Sequence, residues 1–463
     1  MARPQSLLAR LQANYVQATL VALLVATFLM GGGARDDITS LPFLRPLAVL
    51  CLGIGLFGLN RQHLRVYRLP LGFMAAILLL ILLHLVPLPP AVWTEIPGRE
   101  LAVVAGEAVG GPQPWRPLSL VPYRGWNAFY ATLVPAAAMV LAAQLPVEGL
   151  RKTLYLFVAF ALANAIWGIV QSIGGFAPGL YFYRITNSMV PTGLFANRNH
   201  MAALLVAALP LLALIASRAK GASQRLVQIG CAGLAALFVL MIFVAGSRAG
   251  LLFTVIGIAG CALVWRAKPD AIARRRRGAR SLVPLVSAVA GAFAIACLAY
   301  ITSRAAALDR LLVRDEAEEG RLTVWQTVVD ILPQYLPFGS GVGSFVEIFQ
   351  VHEPSEMLSL NYWNHAHNDW LEWALEGGVL AIAIGLAAIA AWALRTRSLL
   401  SHSYAGRLDV QLGLAGSAVM LVLGLWSVVD YPLRVPSLAC LFAIAAIWTA
   451  APLAGKLHKG VSP

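Results

Sequence analysis

Apolar runs of membrane-spanning length recur along the whole sequence. A helix needs about 20 predominantly apolar residues to cross the hydrocarbon core of a bilayer. Hydrophobic residues make up 59% of the chain and charged residues only 12%, which excludes a soluble globule with a polar surface. We therefore predict an all-α polytopic membrane protein with about 12 transmembrane helices. The runs lie near 15–32, 42–59, 69–88, 126–145, 152–174, 199–217, 226–246, 249–265, 281–301, 377–394, 410–428 and 436–453.

The distribution of charge predicts which side of the membrane each connecting segment faces. Cytoplasmic segments carry an excess of Lys and Arg. With a cytoplasmic N-terminus, the run Arg274–Arg280 falls inside and most acidic residues fall outside. Every lysine also falls inside: Lys152, Lys220, Lys268, Lys456 and Lys459. We predict that both termini are cytoplasmic, that the run Arg274–Arg280 is a topology signal facing anionic lipid, and that the net charge of +14 does not indicate bound nucleic acid.

The segments predicted to face outwards contain most of the polar sequence. The largest, about 302–376, lies between the ninth and tenth helices, and a second covers about 89–125. No internal repeat or low-complexity linker divides the chain, so we predict a single integral membrane domain, 1–463. The five cysteines fall inside apolar runs, without the spacing of a metal site or a disulfide framework.

The stretch Asn361–Ala381, NYWNHAHNDWLEWALEGGVLA, combines reactive side chains with the start of a membrane helix. Its histidines, His365 and His367, are general-base candidates because a neutral imidazole accepts a proton near pH 7. Asn368 is a good N-cap, and Asp369 suits the first helical turn. An interfacial aromatic belt would explain the tryptophans here, but it would not explain His-Ala-His-Asn-Asp. We therefore favour a functional interpretation.

His367 is the better base candidate of the two histidines. It directly precedes the predicted helix, so a rigid element fixes its position. In an extended loop, His365 would point to the opposite side. The acids that follow, Asp369, Glu372 and Glu376, are candidates to orient His367 or to contact substrate hydroxyls. Solvated charges at a helix start are an equally good interpretation of these acids.

Arginines at the predicted outer ends of helices are candidate anion ligands. Arg248, in AGSRAGLL, needs an anionic partner or water, unless it is an interfacial arginine that reaches towards the headgroups. Arg198 opens the sixth span in ANRNH, where the positive helix end favours an anion. Arg321 lies in a predicted amphipathic helix, one turn before Trp325, whose ring can lean against the guanidinium. The glycine-rich turn Pro337–Phe345 suits either close approach to a ligand or an ordinary loop.

Guanidinium groups and a histidine on the outer face together suggest transfer from a diphosphate. Guanidinium binds phosphate oxygens in bidentate fashion and keeps its charge. No ATP is available outside the cytoplasm, so an activated donor must arrive in the lipid, as a polyprenyl diphosphate sugar does. Arginines stabilise the charge that builds on the departing diphosphate, while a histidine deprotonates the attacking hydroxyl. No DxD motif or paired-carboxylate site indicates a metal, so the arginines would act in place of a cation.

Three segments resemble those of a known family. They are Gly320–Trp325 (G-R-x-x-x-W), Pro337–Phe345 (P-x-G-x-G-x-G-x-F) and Ala366–Gly378 (A-H-N-D-x-L-x-x-x-x-E-x-G). Together they resemble the O-antigen ligase and O-antigen polymerase superfamily, and GLFANRNHMAALL and SRAGLL fit the same family. The resemblance covers roughly 180–390, which we take as the catalytic region. Ala381 departs from the pattern, because glycine is common there, and we expect this to alter packing rather than chemistry.

The resemblance implies a metal-independent, inverting glycosyltransferase with a GT-C-like membrane fold and no cofactor. Members of this family move glycan from undecaprenyl diphosphate to a saccharide acceptor on the periplasmic face of the bacterial inner membrane. By this resemblance His367 is the catalytic base, and Arg248 and Arg321 bind the diphosphate. We add Arg198 as a further diphosphate ligand. The supporting residues are Asn368, Asp369, Trp325 and His365.

The sequence leaves the acceptor open. In a ligase it is lipid A core sugar, and in a polymerase it is another lipid-linked repeat unit. A lipid-glycan transporter is an alternative from another class, in which the arginines would line a path for the anionic headgroup. Internal pseudo-symmetry would favour transport, and the sequence contains none. Our interpretation is a ligase that uses lipid A core, with a polymerase as the first alternative.

The charge asymmetry predicts opposite exposure for two segments. A cysteine placed at Ser355, in the segment 302–376, should react with an impermeant thiol reagent added from outside. A cysteine placed at Ala279 should be protected until the membrane is permeabilised. The reverse pattern of labelling would contradict both the topology and a periplasmic site.

Overall fold

The computed structural model describes residues 7–267, 316–359, 362–401 and 406–452. Within these ranges the regular secondary structure is helical, apart from a short antiparallel pair, β1 (Pro87–Leu88) and β2 (Arg116–Pro117). The helices are α1 (Leu7–Met30), α2 (Leu41–Gly58), α3 (Arg61–Val66), α4 (Arg68–His84), α5 (Pro90–Trp93), α6 (Glu100–Ala108), α7 (Pro122–Ala142), α8 (Val147–Ile173), α9 (Arg198–Arg218), α10 (Gln224–Val244), α11 (Arg248–Arg266), α12 (Glu316–Tyr335), α13 (Phe345–His352), α14 (Asp369–Ser401), α15 (Leu408–Trp426) and α16 (Pro436–Ala450).

The long apolar helices confirm an all-α polytopic membrane protein. Eight of them, α2, α7 to α11, α14 and α15, are long and apolar enough to cross a membrane. Asn14–Met30 of α1, α4 and α16 are shorter apolar helices. These helices coincide with every predicted run except the ninth. That run, 281–301, lies outside the described residues, as do Arg274–Arg280, the first part of the outer segment (302–315), Lys268, Lys456 and Lys459.

α9 lies at the centre of the bundle because its sequence is apolar on every side. Its residues from Met201 to Leu214 are almost completely buried against α8, α10, α11 and α15. A helix without a polar face must be surrounded by other helices or by lipid. α14 differs, because most of its length beyond Gly378 is exposed, as expected for a helix that faces lipid.

α12 is amphipathic, as its sequence predicts. Val324, Val328, Ile331 and Tyr335 recur along one side of the helix and are buried. They pack against Phe345 of α13 and against the beginning of α14, forming a small core beside the bundle. This core holds the first described turns of α12 next to the histidine-containing loop.

The glycine-rich turn between α12 and α13 packs against the first turns of α14. Gly339 has a φ of 83°, and a Cβ atom there would lie 2.3 Å from the carbonyl oxygen of Glu376. The N–H group of Gly341 donates to the same carbonyl at 2.8 Å. α14 is kinked nearby at Gly378, whose φ is 62°. The turn therefore braces the first turns of α14, and Ala381 just beyond the kink is fully buried.

Replacing Gly339 by Ala should destabilise the protein by about 3 kcal/mol, because positive-φ strain is combined with a backbone collision. Gly110→Ala is a matched control, since Gly110 has a φ of 76° and no atom lies within 4 Å of its Cβ position. The control should cost about 1 kcal/mol. Thermal unfolding in detergent measures both, and equal losses would mean that the close packing of the turn contributes nothing.

Candidate active site

The predicted site residues gather at one end of the helical bundle. α9 begins at Arg198, α11 at Arg248, and α14 at Asp369. α15 ends and α16 begins at the same end, since the backbone N–H of Asp369 donates to the carbonyl of Ser427 at 2.8 Å. The charge distribution predicts that this end faces away from the cytoplasm.

The loop that carries both histidines has a fixed conformation. His367 has a φ of 51°, in the left-handed region that residues other than glycine rarely adopt. The side-chain oxygen of Asn368 accepts two N–H groups of the first turn of α14, each at 3.1 Å, which confirms the predicted N-cap. The N–H of Ala366 donates to Glu372, and its carbonyl accepts from the indole of Trp325, both at 2.9 Å. The loop is thus held from both α12 and α14.

His367 is paired with an aspartate that is distant in sequence. Its Nδ1 lies 3.2 Å from Oδ1 of Asp430, in the loop between α15 and α16. A carboxylate only accepts hydrogen bonds, so the neutral ring carries its proton on Nδ1. Nε2 keeps its lone pair and makes no hydrogen bond within the part of the chain that the structure describes. One ring nitrogen is therefore oriented by an acid, and the other can take a proton.

Asp430 is completely buried, and polar groups from two helix starts surround it. Its Oδ2 accepts from Nδ2 of Asn199 at 2.8 Å, and Oδ1 of Asn199 accepts from the hydroxyl of Ser247 at 2.8 Å. Ser247 is also the N-cap of α11, because its Oγ accepts the N–H of Gly250. Nε2 of His200, in the first turn of α9, lies 3.7 Å from Oδ1 of Asp430. These contacts tie α9 and α11 to the histidine loop.

The charges of this pair suit a base at neutral pH. Burial alone would raise the pKa of Asp430, but the imidazoles of His200 and His367 outweigh burial and hold that pKa well below 3.8. Burial lowers the pKa of His367 below 6.5, and the hydrogen bond to Asp430 opposes this effect in part. At neutral pH the aspartate is therefore an anion, and the imidazole is uncharged and able to accept a proton.

Tyr431 is the ring around which the imidazoles are arranged. Its centroid lies 4.4 Å from that of His365, 4.7 Å from that of His367 and 4.9 Å from that of His200. Trp363 packs edge-on against His367, with centroids 5.7 Å apart. Burial raises the pKa of Tyr431, so its hydroxyl stays protonated. This packing limits the rotation of each imidazole ring.

Three carboxylates of α14 face one arginine. Asp369, Glu372 and Glu376 lie along one side of the first turns of the helix, and all three are buried. The guanidinium of Arg434 lies 3.5 Å, 3.1 Å and 2.9 Å from them, in that order. Glu372 also lies 2.9 Å from Nδ1 of His365. His365 is thus part of this cluster, whereas His367 is paired with Asp430.

Arg321 lies close to the histidine loop. After burial, its positive charge is among the groups that lower the pKa of His367. The preceding Gly320 packs against Trp363, since a Cβ atom at Gly320 would lie 2.9 Å from that indole. Among the described residues, Arg321 makes no hydrogen bond or ion pair. The predicted stacking of Trp325 on this guanidinium is not observed there. The indole of Trp325 supports the histidine loop instead.

Arg198 and Arg248 lie at neighbouring helix starts, and both are half-buried. The backbone N–H of Arg198 donates to Oδ1 of Asn187 at 3.1 Å. Its guanidinium reaches the turn before α11, where a Cβ atom at Gly246 would lie 3.8 Å from it. Arg248 directly follows Ser247, the N-cap that bonds to Asn199. Both arginines therefore border the network that ends on Asp430.

Sequence reasoning did not find the partner of His367. It suggested an acid of the next helix (Asp369, Glu372 or Glu376), but these bind Arg434, and Asp430 orients the imidazole. A signal was present in the segment DYPLR, which places an acid and an arginine between two apolar helices. Ionisable groups at such positions need partners inside the protein. The sequence does not say which partners they find.

These features define a polytopic membrane protein with a buried histidine–aspartate pair and arginines at one end of its bundle. The sequence profile of the O-antigen ligase family matches residues 232–386, about a third of the chain. This match confirms the resemblance to the O-antigen ligase and O-antigen polymerase superfamily, and it indicates a membrane enzyme of the ligase or polymerase type that acts on lipid-linked glycans. The matched region contains Arg248, Arg321 and His367, but it ends before Asp430. A search of curated proteins finds no match.

Replacing Arg434 by Gln should destabilise the protein strongly, by about 3–5 kcal/mol, because three buried carboxylates lose their shared cation. Arg184→Gln is the control, since Arg184 also pairs with an aspartate, Asp37, but its side chain is 79% exposed. The control should cost less than about 1 kcal/mol. Thermal unfolding in the same detergent compares the two variants. A small loss of stability in Arg434→Gln would mean that the three carboxyl groups become protonated, and therefore neutral, when the guanidinium is removed.

Proposed function

We propose that this protein is an inverting glycosyltransferase of the O-antigen ligase type. It transfers glycan from undecaprenyl diphosphate to a sugar hydroxyl of lipid A core, on the periplasmic face of the bacterial inner membrane. The observation that carries the proposal is the pairing of His367 with Asp430 beside Arg321. His367 and Arg321 lie inside the region that matches the O-antigen ligase profile.

His367 acts as the general base. Its Nε2 takes the proton of the acceptor hydroxyl, and the oxygen attacks the anomeric carbon of the donor. A new C–O bond forms as the bond to the diphosphate oxygen breaks, and the diphosphate leaves with that electron pair. Attack from the side opposite the leaving group inverts the anomeric carbon. The carboxylate of Asp430 stabilises the imidazolium that forms.

Arginines bind the leaving diphosphate. Arg321 supplies a guanidinium close to the base, and Arg248 and Arg198 border the same site from the starts of α11 and α9. Their charges are strongest against the negative charge that develops on the departing oxygen, which lowers the barrier selectively. In this proposal these groups perform the role that a metal ion has in other transferases, so activity should persist in a chelator.

The proposed catalytic region is 180–390, with the outer segment 302–376 inside it, and the loop between α15 and α16 completes it. This loop supplies Asp430 and Tyr431 to the base. In this reading the whole chain is a single integral membrane domain, because the site needs the starts of α9, α11 and α14 together with this late loop.

Reconstitution with defined substrates tests the proposal. Purified protein in liposomes receives a lipid-linked donor together with either lipid A core or a second molecule of donor. Transfer to lipid A core supports a ligase, and a ladder of extended lipid-linked glycan would indicate a polymerase. Movement of donor across the bilayer without any new glycosidic bond would indicate a transporter and would overturn the proposal.

His367→Ala should abolish transfer while donor binding survives, because the arginines remain. His365→Ala should keep substantial activity, since this histidine contacts Glu372 and lies outside the pair with Asp430. The measurement is glycan transfer by purified variants, with binding of the lipid-linked donor determined in parallel. An inactive His365→Ala together with an active His367→Ala would reverse the assignment, and two active variants would remove the general base from this loop.

Arg321→Ala should raise the barrier for transfer by about 2–4 kcal/mol, the usual cost of losing a charged donor at a leaving group. Arg321→Lys should recover only part of the rate, because it keeps the charge but loses the bidentate fork. Arg65, exposed on α3, provides a control arginine whose replacement by Ala should leave the rate unchanged. Full activity of Arg321→Ala at an equal protein level would remove this residue from the site.

A further inference from the structure

His200 is a buried histidine whose ring nitrogens lack hydrogen bonds. Its side chain is 1% exposed, and neither Nδ1 nor Nε2 has a partner within hydrogen-bond distance among the described residues. A buried polar group without a partner costs free energy, so such groups call for an explanation. The local packing gives one, because the ring faces the carboxylate of Asp430.

His200 and His367 both lie close to the same carboxylate oxygen of Asp430. Nδ1 of His367 lies 3.2 Å from Oδ1 of Asp430, and Nε2 of His200 lies 3.7 Å from that atom. The other oxygen, Oδ2, is already bound by Asn199 at 2.8 Å. A movement of less than about 1 Å would bring His200 to hydrogen-bond distance. The carboxylate therefore lies between two imidazoles.

Two aromatic rings pack against the imidazole of His200. Its ring packs edge-on against Tyr431, with centroids 4.9 Å apart, and against Phe195 in the segment before α9, with centroids 6.5 Å apart. The titratable groups facing the ring are Asp430 and Tyr431, and the latter hydroxyl stays protonated. Because the side chain of His200 is closed to solvent, the carboxylate is the one anion that an N–H of His200 meets among the described residues.

We propose that His200 is a positioning residue that acts through Asp430. It donates Nε2–H to Oδ1 and keeps that oxygen directed at Nδ1 of His367 while the base takes up its proton. Asn199 holds Oδ2 and the backbone N–H of Tyr431 donates to Oδ1 at 3.0 Å, so His200 adds a further donor to the oxygen that His367 uses. His200 does not touch the substrate or exchange the reacting proton. The effect of His200 on turnover rests on the proposed function. Its effect on the tautomer of His367 does not.

A double-mutant cycle tests whether His200 acts through Asp430. His200→Ala should lower turnover about tenfold with the KM for the donor unchanged, which is the loss expected for a hydrogen bond to a charged group. In an Asp430→Asn background the same change should cause no further loss. His200→Gln should recover most of the rate because its amide can donate to Oδ1. The control is His352→Ala, which should leave turnover unchanged. His352 lies in α13 and is hydrogen-bonded to Tyr335 of α12. Equal losses from His200→Ala in both backgrounds would overturn the proposal.

A spectroscopic measurement decides the same point without any transfer. In protein labelled with ¹⁵N-histidine, the His367 signals are identified by their loss in His367→Ala. They should report a ring protonated on Nδ1, and His200→Ala should shift part of the population to the Nε2 tautomer. An unchanged tautomer in His200→Ala would overturn the proposal. An altered tautomer in a protein that transfers no glycan would instead support the positioning role and reject the proposed function.

Discussion

The buried carboxylate of Asp430 is the contact on which the geometry of the site depends. Removing a carboxylate from water is costly unless charged or hydrogen-bonding groups surround it. Here the start of α9 and the loop before α14 provide those groups from Asn199, His200 and His367, and the backbone N–H of Tyr431 adds a further donor. Through Ser247 the same network reaches the N-cap of α11. The cost of burial thus forces three helix starts into one arrangement, and the proposed base, His367, is part of it.

A second charged cluster holds the helix on which the histidine loop rests. Arg434 binds the three carboxylates on the first turns of α14, and the glycine-rich turn braces the same turns from the other side. Asp430 and Arg434 belong to one short loop, so the loop between α15 and α16 fixes both the partner of the base and the helix beside it. The position of His367 therefore depends on contacts from a late segment of the chain.

Hydropathy predicted most of this fold because the bilayer admits few solutions. Backbone groups in hydrocarbon must be satisfied within a helix, so apolar runs map directly onto helices, as every described run does here. Capping preferences also predicted Asn368 as the N-cap, and the spacing of apolar residues predicted the buried face of α12. The pairing of His367 with Asp430 was not predictable in this way. It joins residues far apart in sequence, and helical periodicity carries no information about which loops meet.

The charge balance of the site is compatible with the approach of an anionic ligand to His367, the proposed base, although His367 is paired with a buried acid. The negative charge of Asp430 is surrounded by the side-chain amide of Asn199, the backbone N–H of Tyr431 and two imidazoles, and the carboxylates of α14 are turned towards Arg434. Arg321 is left without an ion pair among the described residues, close enough for its charge to act on His367. A diphosphate would therefore meet positive charge, while the acids that tune and support the base face inwards. Burial and the adjacent guanidinium both lower the pKa of His367, which favours the uncharged imidazole that the proposed base requires.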